Sequence, residues 1–221
     1  MKPTIYFQVL NEVENFGEWS GVQESGDTID LIEGASYPYR GKYGLRVVCV
    51  EGGDYAYAYK TGLGISIAAG KSIFLSFAQK FENSPSAETY VLKEYNSDNS
   101  NFLLLAISDS GKGRLWWKDD GGTWDKIYSN AVLAGKWHWI TIEIRRATSS
   151  TAADGYAKLY VDEVEDVIAE NIDNYDRWAT LNYFNLGVSA NSQAGFVIDF
   201  DEVILADKMV RPPLPAGKVW K

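Results

Sequence analysis

The chain has a single cysteine, Cys49, so no disulfide can form within it. Cys49 lies in the apolar run 45–50, where a small buried thiol is the expected role of a free cysteine. We therefore expect a fold that does not depend on an oxidising compartment.

Long apolar runs and basic stretches are also missing. No window reaches the roughly 18 uninterrupted apolar residues of a membrane-spanning helix, and the opening residues MKPT lack the apolar core of a secretory signal. Lys and Arg number 21 against 30 Asp and Glu, which gives a net charge of −9 without any run of basic residues. We therefore expect no membrane insertion and no nucleic-acid partner.

Histidine is equally scarce, since His138 is the only one. A lone histidine builds neither a Ser-His-Asp triad nor a zinc site, and we expect His138 to be a partly buried, hydrogen-bonded residue. Paired carboxylates of the kind that hydrolyse glycans are limited to Asp199 with Asp201 and to the acids of a predicted turn at 162–166. The sequence therefore predicts no enzyme, with a glycan hydrolase or lyase as the lesser alternative.

Aromatic residues, in contrast, make up 14% of the chain, and short segments of alternating polarity recur between Gly, Asn, Asp and Ser clusters. The clearest is 137–146, WHWITIEIRR. Helical periodicity is hard to find, and only 164–173 could hold a helical turn. This pattern predicts an all-β antiparallel sandwich over 1–207. A proline-rich arm or linker follows at 208–221, because proline cannot donate to a sheet.

Three tyrosines form the first candidate binding site. Tyr55, Tyr57 and Tyr59 share one face of a predicted strand, YAYAYK, with Ala56 and Ala58 on the other face. If the alanines point inward, the three rings form a platform on which the apolar face of a sugar can stack. The open alternative is the reverse orientation, with the tyrosines packed against a second sheet.

Tryptophans around a predicted hairpin, RLWWKDDGGTW at 114–124, form the second candidate. Trp116 and Trp117 are adjacent and therefore point to opposite faces, so at most one of them lies in the core. Trp124 lies beyond the turn on the partner strand. We take Trp117 and Trp124 as ligand contacts. A protein interface and covering by the flanking loops stay open as alternatives.

The order of these segments resembles a known family. Segments 11–19 (NEVENFGEW), 43–47 (YGLRV) and 69–77 (AGKSIFLSF) resemble the early strands of jelly-roll carbohydrate-binding modules. Segments 134–144 (AGKWHWITIEI), 157–162 (AKLYVD) and 198–205 (IDFDEVIL) resemble the late strands of concanavalin A-like and laminin G-like domains. The resemblance implies a two-sheet antiparallel jelly-roll sandwich, and a fold that hosts lectins, enzymes and structural modules alike.

The same resemblance implies a structural calcium ion. Its ligands would be Glu14 and Asp201, with Asp199 as a second choice. Asp199 and Asp201 share a strand face, where two carboxylates repel each other unless a cation or an arginine lies between them. The sequence departs from the family pattern because the glycine that normally follows the glutamate is displaced to Gly17. A solvated face is the alternative.

Together these features predict a non-enzymatic recognition module whose ligand is carbohydrate, contacted by the tyrosines and tryptophans. The main alternative is a structural decoration protein of a virus particle or cell-surface layer, as a homo-oligomer or in contact with a neighbouring protein subunit. The missing signal and the proline-rich tail favour that alternative, and both roles can hold together on a virion or extracellular surface.

Overall fold

The computed structural model describes residues 2–9, 16–33 and 43–212, and every regular element in them is a β-strand. No helix in these ranges is long and apolar enough to cross a membrane. The strands are β1 Ile5–Val9, β2 Gly21–Ser25, β3 Thr28–Glu33, β4 Tyr43–Val48, β5 Tyr55–Lys60, β6 Ile65–Ser66, β7 Ser72–Lys80, β8 Thr89–Tyr95, β9 Asn101–Ile107, β10 Lys112–Lys118, β11 Trp124–Val132, β12 His138–Arg145, β13 Gly155–Val161, β14 Val164–Ile172, β15 Thr180–Leu181, β16 Tyr183–Ala190 and β17 Val197–Ala206.

Two large antiparallel sheets form the molecule and confirm the predicted sandwich. One has eight strands in the order β14-β13-β12-β7-β17-β4-β3, with β1 added beside β17. The other has seven strands in the order β11-β10-β9-β8-β16-β5-β2, and a short pair of β15 and β6 completes the fold. Most neighbours in the sheets are distant in sequence, so the sheets bring together side chains that no local motif contains.

The core lies between the two sheets and follows from the alternation of the strands. In β12 the side chains of Ile140, Ile142 and Ile144 are buried, and Phe77 of β7 lies opposite Ile140 in the same sheet. Each such side chain contributes roughly 1.5–3 kcal/mol when it is removed from water. Cys49 is also buried, and this burial together with nearby Asp27 raises the pKa of its thiol to about 12, as expected for an inert core residue.

The predicted helical turn at 164–173 is wrong, because the segment is the edge strand β14, paired with β13. Register shifts between Gly155 and Ala157 and between Leu159 and Tyr160 interrupt the ladder. A β-bulge breaks the two-residue alternation that identifies a strand in sequence. The spacing of apolar residues in this segment therefore resembles neither a clean strand nor a helix.

The edges β11 and β14 of the two sheets are joined by one aspartate. The carboxylate of Asp166 accepts hydrogen bonds from the backbone N–H groups of Asn130 and Ala131, each at 3.0 Å. The Asn130 side-chain amide donates in return to the Asp166 carbonyl oxygen at 2.8 Å. These bonds close one side of the sandwich and hold the β10–β11 hairpin against the other sheet.

A carboxyl group lies on the core side of the seven-stranded sheet. Glu94 of β8 is opposite Leu103 of β9 and Phe184 of β16, and only 2% of it is exposed. Its Oε2 has no hydrogen-bond partner among the described residues. Burial raises the pKa of Glu94 to about 8, because a charged carboxylate would lose its hydration here.

The end of the described chain follows the eight-stranded sheet. Val210 packs against the cluster of Ala78, Trp139, Ile204 and Ala206 on the outer face of that sheet. The predicted boundary at residue 207 and the arm over 208–221 stay predictions, since 213–221 lie outside the described residues.

Candidate functional site

The tyrosine stripe of β5 has the predicted orientation. Ala56 and Ala58 are fully buried in the core, while Tyr55 is 37% exposed and Tyr57 and Tyr59 are half-buried on the outer face. The rings of Tyr55 and Tyr57 lie 5.7 Å apart, and those of Tyr57 and Tyr59 lie 6.5 Å apart. The three side chains therefore form a continuous row on the surface of the seven-stranded sheet.

Glycines and neighbouring side chains fix the position of this row. A Cβ atom on Gly21 would lie 2.7 Å from the Tyr59 hydroxyl, so the ring covers a position that only glycine leaves open. The Tyr57 hydroxyl donates to the Gln23 side chain at 2.5 Å. Gly187 of β16, with φ at 132°, lies opposite Tyr57, and a Cβ there would be 2.6 Å from the Ala56 carbonyl oxygen. We infer that the row is held in place before any ligand arrives.

Two further tyrosines widen the row into the tyrosine face, defined as Tyr55, Tyr57, Tyr59, Tyr95 and Tyr183. Tyr95 and Tyr183 stack with ring centroids 3.9 Å apart and planes 12° from parallel. Burial and the neighbouring Tyr95 raise the pKa of Tyr183 far above the ordinary tyrosine value. The Tyr183 hydroxyl therefore remains protonated and can both donate and accept hydrogen bonds.

The tryptophan hairpin divides its adjacent pair of tryptophans between the core and the surface. Trp117 is only 9% exposed and packs in the main core, so the outward tryptophan of the adjacent pair is Trp116. Leu115 carries the signal that could have decided this in the sequence. It shares a strand face with Trp117, and a leucine that is fully buried places Trp117 in the core as well.

Trp116 and Trp124 line an open cavity of about 280 Å³ on the same outer face as the tyrosines. We call this cavity the Trp groove. Its remaining lining residues are Tyr90, Lys93, Asn101, Leu104 and Ala190. Trp124 is half-buried, and its role as a ligand contact stays a prediction.

A row of polar residues links the Trp groove to the tyrosine face. Asn185 of β16 lies opposite Lys93 on one side and opposite Tyr59 on the other. Its Oδ1 is buried without a hydrogen-bond partner in the part of the chain described. Burial lowers the pKa of Lys93, whose ammonium donates to the Ser189 carbonyl oxygen at 3.2 Å. The outer face thus carries aromatic rings on both sides of a central cation, Lys93, and a central amide, Asn185.

Of the predicted calcium ligands, one lies outside the described residues and another is bound by an arginine. Glu14 lies outside the described residues. Arg46 binds Asp199 through two bonds, Nε to Oδ1 at 2.8 Å and Nη2 to Oδ2 at 2.9 Å. Asp201 is fully buried, and its Oδ1 accepts the Glu202 backbone N–H at 2.8 Å.

Asp199 is therefore neutralised by an arginine instead of by a cation shared with Asp201. The described residues contain no group of three or more His, Cys, Asp or Glu side chains that could hold a metal ion. The residues at Asp199 and Asp201 do not by themselves fit a calcium ion, and calcium binding that includes Glu14 stays a prediction.

The lone histidine is hydrogen-bonded, as predicted, but it is buried and not partly buried. His138 is buried, and its Nδ1 lies 2.9 Å from Asp162 Oδ2. Of the acids in the predicted turn at 162–166, Asp162 and Glu163 do form a turn, with positive φ angles of 53° and 69°. Glu165 and Asp166 instead lie in strand β14. None of these residues lines the Trp groove.

The comparisons with known proteins now decide the family. A model of the concanavalin A-like lectin/glucanases superfamily matches residues 54–212, which include most of the sandwich and the whole Trp groove. The chain belongs to the concanavalin A-like lectin/glucanase superfamily. The predicted resemblance is thereby confirmed. No curated protein sequence matches this superfamily member.

Solved structures show the same fold at low sequence identity. An endo-β-1,4-glucuronan lyase from the fungus Trichoderma reesei superposes with a TM-score of 0.71 at 15% identity, over 93% of this chain and 96% of the lyase. The globular domain of T. cruzi calreticulin gives 0.62 at 14% identity, over 93% and 89%. The ligand-binding domain of botulinum neurotoxin serotype D, in complex with N-acetylneuraminic acid, gives 0.57 at 15% identity, over 86% of this chain but only 43% of that one. These similarities show the sandwich fold and do not assign a function to the chain.

Proposed function

We propose that this domain is a non-enzymatic module that binds carbohydrate on the outer face of the seven-stranded sheet. One observation carries the proposal. The tyrosine face and the Trp groove form one aromatic surface across β5, β16, β8, β10 and β11 whose rings remain partly exposed. Aromatic side chains stack on the apolar faces of sugars while polar groups between them orient the hydroxyls.

The named activities of two structural neighbours support the choice of ligand class. One is a lyase of a polysaccharide, glucuronan, and the other was crystallised with the sugar N-acetylneuraminic acid. The fold alone does not transfer either activity to this chain. The aromatic surface described above supports the proposal independently.

We propose binding without hydrolysis, because the described residues place no pair of carboxylates on this surface. Glycoside hydrolysis requires two carboxyl groups on either side of the scissile bond. One carboxylate borders the Trp groove, since Glu88 Oε1 accepts the Trp116 Nε1–H at 3.2 Å, but the outward positions of β8, β10 and β11 supply no second Asp or Glu. Incubation with any glycan that binds should release no new reducing ends and no unsaturated product absorbing in the ultraviolet. Release of either would assign hydrolase or lyase activity instead.

A glycan array with the wild-type domain and Trp116→Ala tests the proposal directly. We expect wild type to bind a defined set of glycans and Trp116→Ala to bind the best of them at least about tenfold more weakly, the equivalent of about 1.4 kcal/mol. Titration calorimetry measures the change. Tyr6→Ala is the matched control, since Tyr6 is a 41% exposed aromatic residue on the other sheet.

The array also distinguishes the assembly role. A domain that binds no glycan and forms a stable oligomer in solution would instead be a structural component whose aromatic surface contacts a neighbouring subunit. Sedimentation velocity on the same preparation provides that measurement.

A further inference from the structure

The hairpin beside the Trp groove alternates aromatic rings with cations. The pairs across β10 and β11 are Arg114 with Tyr128, Trp116 with Lys126, and Lys118 with Trp124. Each cation lies over a ring, with Lys126 Nζ 4.3 Å from the Trp116 centroid and Lys118 Nζ 5.3 Å from the Trp124 centroid. The sequence shows no basic run, because these residues alternate with others along two strands and meet only through sheet pairing.

Lys93 adds a positive charge within the groove itself. It lies on β8, is half-buried, and lines the cavity together with Trp116 and Trp124. Within the described part of the chain its ammonium forms one hydrogen bond, to the Ser189 carbonyl oxygen. A partly desolvated cation without a counter-charge is unfavourable, and a bound anion offsets that cost.

Among the described residues, the three lysines around the groove have no carboxylate partner. Arg114 differs, since it forms an ion pair with Glu88. Lys93, Lys118 and Lys126 form no ion pair with any described residue. The chain has a net charge of −9, but three lysines without an ion pair among the described residues surround one aromatic cavity. The surface charge is therefore locally positive.

We propose, resting on the carbohydrate-binding function above, that the Trp groove binds an acidic sugar, with its ring against Trp116 and Trp124 and its carboxylate at Lys93. Lys118 and Lys126 extend the positive surface toward neighbouring acidic units of the same glycan. The overall negative charge of the chain disfavours the alternative polyanion, a nucleic acid, because repulsion acts along the whole phosphate backbone.

The test uses an array that contains neutral glycans, glycans with uronic or sialic acids, and single-stranded oligothymidylate. We expect the strongest hit to carry a carboxylate, and its carboxyl-reduced form to bind at least about tenfold more weakly, since charge-assisted hydrogen bonds are the stronger class. The affinity for the acidic form should fall as sodium chloride is raised, whereas that for the reduced form should not.

Lys93→Met isolates the groove cation, because methionine retains much of the side-chain volume without the charge. We expect it to weaken binding of the acidic hit about tenfold or more and to change binding of the reduced form less than about twofold. Lys71→Met is the matched control, as Lys71 is an exposed lysine before β7 of the other sheet. It changes the net charge equally and should leave both affinities unchanged.

The outcomes separate the two proposals. Neutral hits that depend on Trp116 but not on Lys93 would overturn the acidic ligand and keep carbohydrate binding. Tighter binding of oligothymidylate than of any glycan would overturn the acidic sugar in favour of a nucleic acid. Absence of any glycan hit would overturn the proposed function itself, and this inference with it.

Discussion

Glu94→Gln is expected to make the domain more stable at pH 8 than the wild type and to flatten its dependence on pH. The carboxyl of Glu94 is fully enclosed between Leu103 and Phe184, and burial raises its pKa from 4.5 to about 8. Between these two values the folded protein holds a proton that the unfolded chain has released. Stability therefore falls as the pH rises from about 4.5 to about 8, and levels off above that.

The difference between the two pKa values corresponds to a fall in the free energy of unfolding on the order of 4 kcal/mol across this pH window. Glutamine has nearly the same shape as glutamate and does not ionise. As the pH rises, the variant should therefore lose only the stability that depends on other ionisable groups. Urea denaturation at several pH values measures the difference between the two curves.

Glu51→Gln is the matched control, because Glu51 is exposed and its replacement should leave the wild-type pH curve unchanged. Parallel curves for Glu94→Gln and wild type would show that Glu94 reaches solvent and carries its charge without cost. That result would contradict the core placement of its side chain.

Arg46→Met is expected to destabilise the domain by about 3 kcal/mol at pH 7, because it leaves the Asp199 carboxylate without its partner. Arg46 of β4 lies opposite Asp199 of β17 and binds both of its oxygens, and Asp199 is only 5% exposed. Replacing both residues, as Arg46→Met with Asp199→Asn, should restore most of the loss, since no charge is then left buried. Urea denaturation again gives the free energies.

Lys80→Met provides the control on the other flank of the same aspartate. Lys80 of β7 also lies opposite Asp199, but its ammonium pairs with the exposed Glu82 at 2.7 Å. Its loss should cost no more than about 1 kcal/mol, as for other surface ion pairs. Equal effects of the two single variants would refute the specific role of Arg46. Repeating the wild-type measurement with calcium and with a chelator tests the predicted ion, which should raise stability only if it binds the folded state.

The strands were predictable wherever their alternation is regular. The alternating polarity of residues 137–146 predicted a strand, and β12 spans His138–Arg145, because such alternation is a local property of the chain. β14 was missed because bulges interrupt its pairing with β13 and no local signal marks them. The sequence also gave no indication of Glu94 in the core, since its position depends on the faces of β9 and β16.

The candidate site was predictable only in part for the same reason. The alternation of side chains along a strand placed Tyr55, Tyr57 and Tyr59 on one face, since all three belong to β5. The Trp groove draws on β8, β9, β10, β11 and β16, and pairing among distant strands cannot be derived from one sequence. Lys93 therefore could not be recognised as part of the site. The choice between Trp116 and Trp117 depended on whether Leu115 is buried.

The Asp166 link between β11 and β14 has a consequence for the behaviour of the domain in concentrated solution. The outermost strand of a sheet normally presents free amide donors to which a strand of another molecule can add. At Asn130 and Ala131 these donors already bind a side chain from the opposite sheet. At this part of the β11 edge the donors are not free to pair with a strand of another molecule, which disfavours edge-to-edge association of the domains at high concentration.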